Sequence, residues 1–275
     1  MHKNKGKEMS VVETEEPIKW ARRIVINCPE KRNALTLEVK HGVRDAIAAA
    51  LKAEEVRVLI LTGRGGAFSA GGDISDMAKR DENKMLRHLR VAHDTVRLCD
   101  MAEKPIIAAI EGPAMGSGAG LAMCADTIVG GKSASVGFSF QKVGLIPDFG
   151  TMHNVTRRIG INKARQAFLY AQPIKGQEAF NMGLFDHLVA DEQVQEKALE
   201  LAQQLINLPA YSLGMTKRIL NKMPTSVNET LELESTMQTL CMRSDEHVEG
   251  ATAFMEKRKP DFLQFELIPG RNLPV

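Results

Sequence analysis

The stretch Glu111-Gly-Pro-Ala-Met-Gly-Ser-Gly-Ala-Gly-Leu-Ala-Met123 constrains this chain more than any other. It follows the apolar, strand-like run Pro105-Ile-Ile-Ala-Ala-Ile110 and leads into a helix-compatible segment, so the order is strand, glycine turn, helix. Glycines at such a turn let the backbone approach a ligand closely, and the free N–H groups of a first helical turn face whatever negative charge sits there. The dinucleotide fingerprint G-x-G-x-x-G fails here, because the third glycine position holds Leu121 after Gly116-Ser-Gly118 and Met123 after Gly118-Ala-Gly120. The nucleotide phosphate loop fails as well. Gly131-Lys132-Ser133 has Asp126 where that loop begins with glycine. What remains is a backbone donor for a small oxyanion, a task that usually takes more than one donor.

A second candidate lies upstream at Gly63-Arg-Gly-Gly-Ala-Phe-Ser-Ala-Gly-Gly-Asp-Ile74, directly after the strand-like run Val56–Thr62. Four motifs now stand in order: Arg32-Asn-Ala-Leu35, Ala67-Phe-Ser-Ala-Gly-Gly-Asp-Ile74, Gly112-Pro-Ala-Met-Gly-Ser-Gly118 and Gly144-Leu-Ile-Pro-Asp-Phe-Gly150. Together they resemble the crotonase superfamily, the enoyl-CoA hydratase/isomerase family, from about Arg23 to Phe262. The resemblance implies an α/β fold of the ClpP/crotonase-like kind, a spiral of ββα repeats followed by C-terminal helices that pack into trimers or dimers of trimers. It divides the chain into a flexible tail (1–18), a spiral core (19–200) and a helical C-terminal region (201–275). It also implies an acyl-CoA substrate, with coenzyme A as a handle and no bound cofactor.

Composition agrees with a soluble enzyme and excludes other classes. A chain of 275 residues with 44% hydrophobic content can bury a large core. Its 36 basic and 34 acidic side chains are dispersed, so no overall field points to nucleic acid. Cys28, Cys99, Cys124 and Cys241 lie far apart with no C-x-x-C pair, which favours buried thiols in a reducing, cytoplasmic setting over zinc or disulfides. The polar N-terminus lacks the apolar run of a secretory signal, and no stretch approaches the ~20 apolar residues of a membrane span.

Periodicity supplies the elements. Arg23–Asn27 reads as a strand, and Thr36 as the N-cap of a helix with Val39, Val43, Ala46, Ile47, Ala50 and Leu51 on one face. Residues 81–101 read as a second helix, with Leu86, Leu89, Ala92, Val96 and Cys99 at helical spacing. Gly183 reads as a helix stop, and from Glu192 the pattern is helical. The recurrence of strand, turn and helix through Val58, Ile107 and Ile128 implies stacked repeats in place of separate domains.

Site residues follow from the resemblance, position by position. The two oxyanion donors fall at the amides of Gly72 and Ser117, where two N–H groups favour an enolate over the starting thioester carbonyl. The hydroxyl of Ser117, where the family more often has glycine, is expected to be idle. Lys31, Arg32 and Ala34 match one wall of the coenzyme A site, and Ala70, Gly71, Asp73, Ile74, Gly116 and Phe140 match further residues that bind the substrate and its coenzyme A. Phe254 and Lys257 match residues that close over the adenine and phosphates, frequently from a neighbouring subunit.

Proton carriers separate the branches of the family. Its hydratases use two glutamates, which counting from the motifs places at Gly120 and Phe140, and neither can carry a proton. Isomerase and dehalogenase branches present a carboxylate where this chain has Asp148. A carboxyl among Phe140, Val143, Leu145 and Phe149 is suited to take and return a proton. The reading is therefore an enoyl-CoA double-bond isomerase with Asp148 as acid and base. The alternatives are a hydratase or hydrolase with another acid, a dehalogenase assisted by His93, and a silent acyl-CoA binder.

Overall fold

The computed structural model describes residues 10–73 and 82–265. Its main sheet has six strands in the order β1 (Val12–Glu15), β2 (Ala21–Ile26), β3 (Val58–Gly63), β4 (Ile106–Ile110), β6 (Thr127–Gly131) and β9 (His187–Val189). The β1–β2 pair is antiparallel and every other pair is parallel. A parallel sheet must be covered on both faces, which is why β3 and β4 are apolar runs buried at every position. Alternate side chains divide between two cores. Leu59, Leu61, Ile106, Ala108 and Ile110 face one, while Val58, Ile60, Ile107 and Ala109 face the other.

The first core is covered by α1 (Leu37–Lys52) and α2 (Glu82–Met101), which pack on each other. Thr36 caps α1 by accepting from the Val39 amide at 3.2 Å. The second core is closed by α6 (Val194–Ile206), whose Val194, Ala198, Ala202 and Ile206 lie on the sheet.

A smaller sheet, β5 (Pro113–Met115), β7 (Ser135–Gly137) and β8 (Ile174–Lys175), makes the structure a spiral. Leaving β4, the chain enters β5, and leaving β6 it enters β7. The segment after β3 joins the same layer through isolated bridges, Leu35 to Gly72 and Ser69 to Ala114. Each turn of chain thus lays one strand in the large sheet and one extended piece in the small layer. The glycine turns are stacked at matching positions as a result.

Short α3 (Ser117–Ala122) follows β5, and α4 (Thr151–Tyr170) bends at Gly160, where φ is 74°. Next come α5 (Gly176–Met182), stopped by Gly183 at φ 92°, and α7 (Ala210–Lys222), α8 (Val227–Met242) and α9 (Asp245–Glu256). Lys217 on α7 donates to Asp126 Oδ2 at 2.7 Å and to the Lys104 carbonyl at 3.1 Å, tying the helical region to the entrances of β4 and β6. α8 and α9 leave Val227, Leu231, Met242, Val248, Phe254 and Met255 exposed.

Three expectations move. The strand anticipated at Arg23–Asn27 begins at Ala21, because Ala21 already pairs with Val58. The flexible tail anticipated through residue 18 includes β1, whose Glu13 and Glu15 bind Arg64 and Arg23. Only Cys28 and Cys99 are buried, while Cys124 and Cys241 are half-buried; all four thiols are free.

Candidate active site

The loop after β2 is fastened to the first glycine turn by one buried side chain. Asn33 accepts from the Cys28 amide at 2.9 Å and donates to the carbonyls of Arg64 at 2.9 Å and Ala67 at 2.7 Å. Ser69 adds a second tie, its hydroxyl donating to the Asn33 carbonyl at 2.7 Å and accepting from the Gly71 amide at 3.1 Å. Backbone bonds from Ala70 N to Arg32 O and from Leu35 N to Gly71 O complete the clasp. These ties restrain glycines that would otherwise be free to wander.

The second turn packs directly on the first. A Cβ on Gly71, which has φ 92°, would stand 2.5 Å from the Met115 carbonyl oxygen and 3.5 Å from the Ser117 amide nitrogen. Only glycine permits this approach. Among the described residues, neither the Gly72 amide nor the Ser117 amide donates to another group. Two unpaired backbone donors from distant parts of the sequence are thereby brought to neighbouring turns.

Asp148 lies beside them. Its Oδ1 accepts from the Ser117 hydroxyl at 2.8 Å, so the hydroxyl expected to be idle is in use. The Ser117 side chain thus holds the carboxylate. Behind Asp148 the backbone is tightly fixed. Phe149 has φ 57° with its ring 2% exposed, and Thr151 N and Oγ1 both donate to the Asp148 carbonyl. A bulky residue in the left-handed region persists only where packing over-determines it.

The apolar surroundings expected for Asp148 are only partly present. Phe140 and Phe149 are buried, but Val143 and Leu145 are 50% and 40% exposed, because Ser139–Val143 forms a surface 3-10 turn closed by Gly144. The carboxyl itself is half-buried.

The position matching the first hydratase glutamate is closed. A Cβ on Gly120 would stand 2.5 Å from Thr151 Oγ1 and 2.7 Å from Phe149 Cβ. The second position, Phe140, is 6% exposed, and its ring lies 4.0 Å from where a Gly116 Cβ would be. Its ring roofs the second turn.

The remaining anticipated residues distribute as follows. Ala34 is buried in the clasp, whereas Lys31 and Arg32 point outward beside it, Arg32 with φ 49°. Ala70 is exposed and Asp73 half-buried on the rim of the first turn; Ile74 lies outside the described residues. Phe254 is 84% exposed on α9, and Lys257 caps that helix with φ 55°. α9 packs on α8 and on the Phe262–Gln264 turn. His93 is exposed on α2, while the histidine buried on that helix is His88.

Lys40 was missed by the sequence reading. It is 3% exposed on α1, and Asp148 is the charge that acts on it. Burial pushes its ammonium below the usual lysine value, and Asp148 partly offsets this. Its signal was present: Lys40 stands at the spacing of Val43, Ile47 and Ala50 on the buried stripe of α1. Among the described residues no group of three or more His, Cys, Asp or Glu side chains is gathered as a metal site, and no helix is long and apolar enough to cross a membrane.

Comparison with known proteins agrees with this geometry. The family described as enoyl-CoA hydratase/isomerase matches residues 21–265. The chain is 31% identical to the crotonyl-CoA hydratase of Syntrophomonas wolfei, over 87% of this chain and 93% of that protein. It is 32% identical to the 1,2-epoxyphenylacetyl-CoA isomerase of Escherichia coli, over 89% and 95% respectively. Among solved structures, an enoyl-CoA hydratase from Bacillus anthracis superposes with a TM-score of 0.88 at 26% identity, covering 92% of this chain and 98% of that one. With the spiral, the stacked turns and these relatives in agreement, the chain belongs to the enoyl-CoA hydratase/isomerase family of the crotonase superfamily.

Proposed function

We propose that this enzyme moves a carbon–carbon double bond in an enoyl-CoA thioester, with Asp148 carrying the proton. The observation that supports this reading is the 2.8 Å bond between Ser117 Oγ and Asp148 Oδ1, which holds a carboxylate next to an unpaired backbone donor. The thioester carbonyl oxygen accepts from the Gly72 and Ser117 amides. The Asp148 carboxylate removes a proton from C2, and the C–H electron pair enters the conjugated system as a dienolate whose charge rests on that oxygen. Collapse of the dienolate takes the same proton back from Asp148 at C4, so the double bond has moved and the enzyme is unchanged. Each donor is tighter on the enolate than on the carbonyl, and losing one such donor typically costs 10²–10³-fold in rate.

The names of relatives include both hydratases and isomerases. Against hydration stand Gly120, where Thr151 and Phe149 occupy the space of a side chain, and Phe140. The test is deuterium exchange at C2 and double-bond migration across a panel of 3-enoyl and saturated acyl-CoA thioesters in deuterated water. Wild type should exchange and isomerise, and Asp148→Asn should bind acyl-CoA yet do neither. Steady hydration of 2-enoyl thioesters that survives Asp148→Asn would refute the reading.

A further inference from the structure

An amide already bonded within the fold cannot serve a ligand, so the donors open to an oxyanion are those the surrounding structure leaves over. In the first turn three amides follow one another. Ala70 N donates to the Arg32 carbonyl at 2.8 Å, Gly71 N donates to the Ser69 hydroxyl at 3.1 Å, and Gly72 N is left unpaired among the described residues. The second turn repeats the order. Met115 N donates to the Ser69 carbonyl at 2.9 Å, Gly116 N donates to the Gly137 carbonyl at 2.7 Å, and Ser117 N is left unpaired. Ser69 takes up one amide in each series. Its own amide donates to the Pro113 carbonyl at 3.1 Å, and its hydroxyl donates to the Asn33 carbonyl at 2.7 Å. The residue is fully buried, and it lies so close to α3 that a Cβ on Gly118 would stand 2.6 Å from Ser69 Cβ and 2.7 Å from its Oγ. One residue therefore stands against Gly71 and Gly118, the chain neighbours of the two unpaired donors.

We infer that Ser69 is a positioning residue for the oxyanion hole: its hydroxyl occupies the Gly71 amide, which leaves Gly72 as the donor, and its ties to both turns set the spacing between the Gly72 and Ser117 amides. The inference rests on the reading of those two amides as partners of the thioester oxygen and deepens it. A hydroxyl suits the position because it works in two directions at once. Its proton goes to the Asn33 carbonyl while its lone pair accepts from Gly71. Without it the Gly71 amide, on a backbone at φ 92°, loses its partner and the turn its restraint. Oxyanion donors act within about 2.7–3.1 Å of the developing charge, so a shifted turn weakens the hold on an enolate more than on the starting thioester. Ser69 forms no bond to substrate and moves no proton.

The test compares wild type with Ser69→Ala, with Ser69→Cys as a weaker donor and acceptor, and with Lys217→Met, which removes a tie at the opposite ends of the strands. The first readout is the infrared carbonyl stretch of a bound saturated acyl-CoA labelled at its carbonyl carbon. Wild type and Lys217→Met should lower that stretch equally relative to the free thioester, and Ser69→Ala should lose about half or more of the lowering. The second readout is C2 exchange of the same thioester, where Ser69→Ala should lose about tenfold or more in kcat with KM within about twofold. Ser69→Cys should show smaller losses in the same direction, and it carries both readouts if the alanine variant does not fold. A merely structural serine would lower Tm, as Lys217→Met does, and leave the stretch and kcat at their wild-type values; that result overturns the inference. A wild type whose bound thioester shows no lowered stretch defeats the two-amide reading on which the inference rests. A wild type that lowers the stretch without exchanging C2 counts against Asp148 as the base, and the first readout still decides the role of Ser69.

Discussion

Gly120→Ala is the sharpest test of how packing positions the proton carrier. A Cβ at residue 120 would stand 2.5 Å from Thr151 Oγ1 and 2.7 Å from Phe149 Cβ, where an ordinary contact begins at 3.4 Å. The Phe149–Thr151 segment must therefore yield by about 0.7–0.9 Å, and it has little freedom, because Phe149 is 2% exposed and Thr151 is fully buried. Overpacking of this kind costs about 1–3 kcal/mol, offset by up to about 1 kcal/mol from alanine's better helix propensity. Net destabilisation should fall between about 0 and 3 kcal/mol, a Tm fall of at most about 12 °C. Activity should suffer more. Asp148 is bonded to Thr151 through its carbonyl and moves with it, and a displacement near 1 Å at a catalytic group can cost about 10²-fold. Thermal melts and C2 deuterium exchange measured on the same preparation give both numbers. If Gly120→Ala melts and exchanges like wild type, the wall behind Asp148 is not rigid and the explanation given for the missing glutamate is wrong. The same geometry predicts that Gly120→Glu, which restores one hydratase carboxylate, gains no hydratase activity.

Ser117→Ala keeps the backbone donor and removes the hydroxyl that binds Asp148. A hydrogen bond to a charged group contributes about 1.5–3 kcal/mol, so kcat for exchange should fall about 10–100-fold while KM stays within about twofold; an unchanged kcat would show that the hydroxyl is idle after all. Asn33→Ala leaves the Cys28 amide and the Arg64 and Ala67 carbonyls without their partner, and should lower stability by at least about 2 kcal/mol and raise KM through a loosened first turn; a variant with wild-type Tm and KM would refute the clasp. Lys104 donates to the Ala50 and Ala53 carbonyls at the end of α1, and burial pushes it down to about 8 from the ordinary 10.5. Between those pH values the unfolded chain holds a proton the folded chain has released, so stability should rise with pH in wild type relative to Lys104→Met. A difference between the two that is flat across that window would contradict the burial.

Much of this protein was legible in its sequence, for local reasons. The apolar runs of β3 and β4 could only be strands buried on both faces, the Thr36 cap and the stripe from Val39 to Ala50 fixed α1, and the glycines that allow close backbone approach announced both turns before any coordinates. Asp148 was found through its register with a motif, since nothing in Pro147-Asp148 by itself separates a proton carrier from an ordinary turn. Other features are relations between residues far apart in the chain. The Ser117 hydroxyl meets a carboxylate 31 residues away, Gly120 is closed by a turn 29 to 31 residues downstream, and Val143 and Leu145 proved exposed because a 3-10 turn carries them to the surface. Lys40 shows the boundary most clearly. Its spacing placed it on the buried face of α1, but a helix pattern specifies only which side of a cylinder faces inward, and the charge waiting there comes from a loop more than a hundred residues later. Periodicity is a property of neighbours in sequence; charge pairing and steric closure are properties of neighbours in space, and only the stacking of the spiral makes those neighbours.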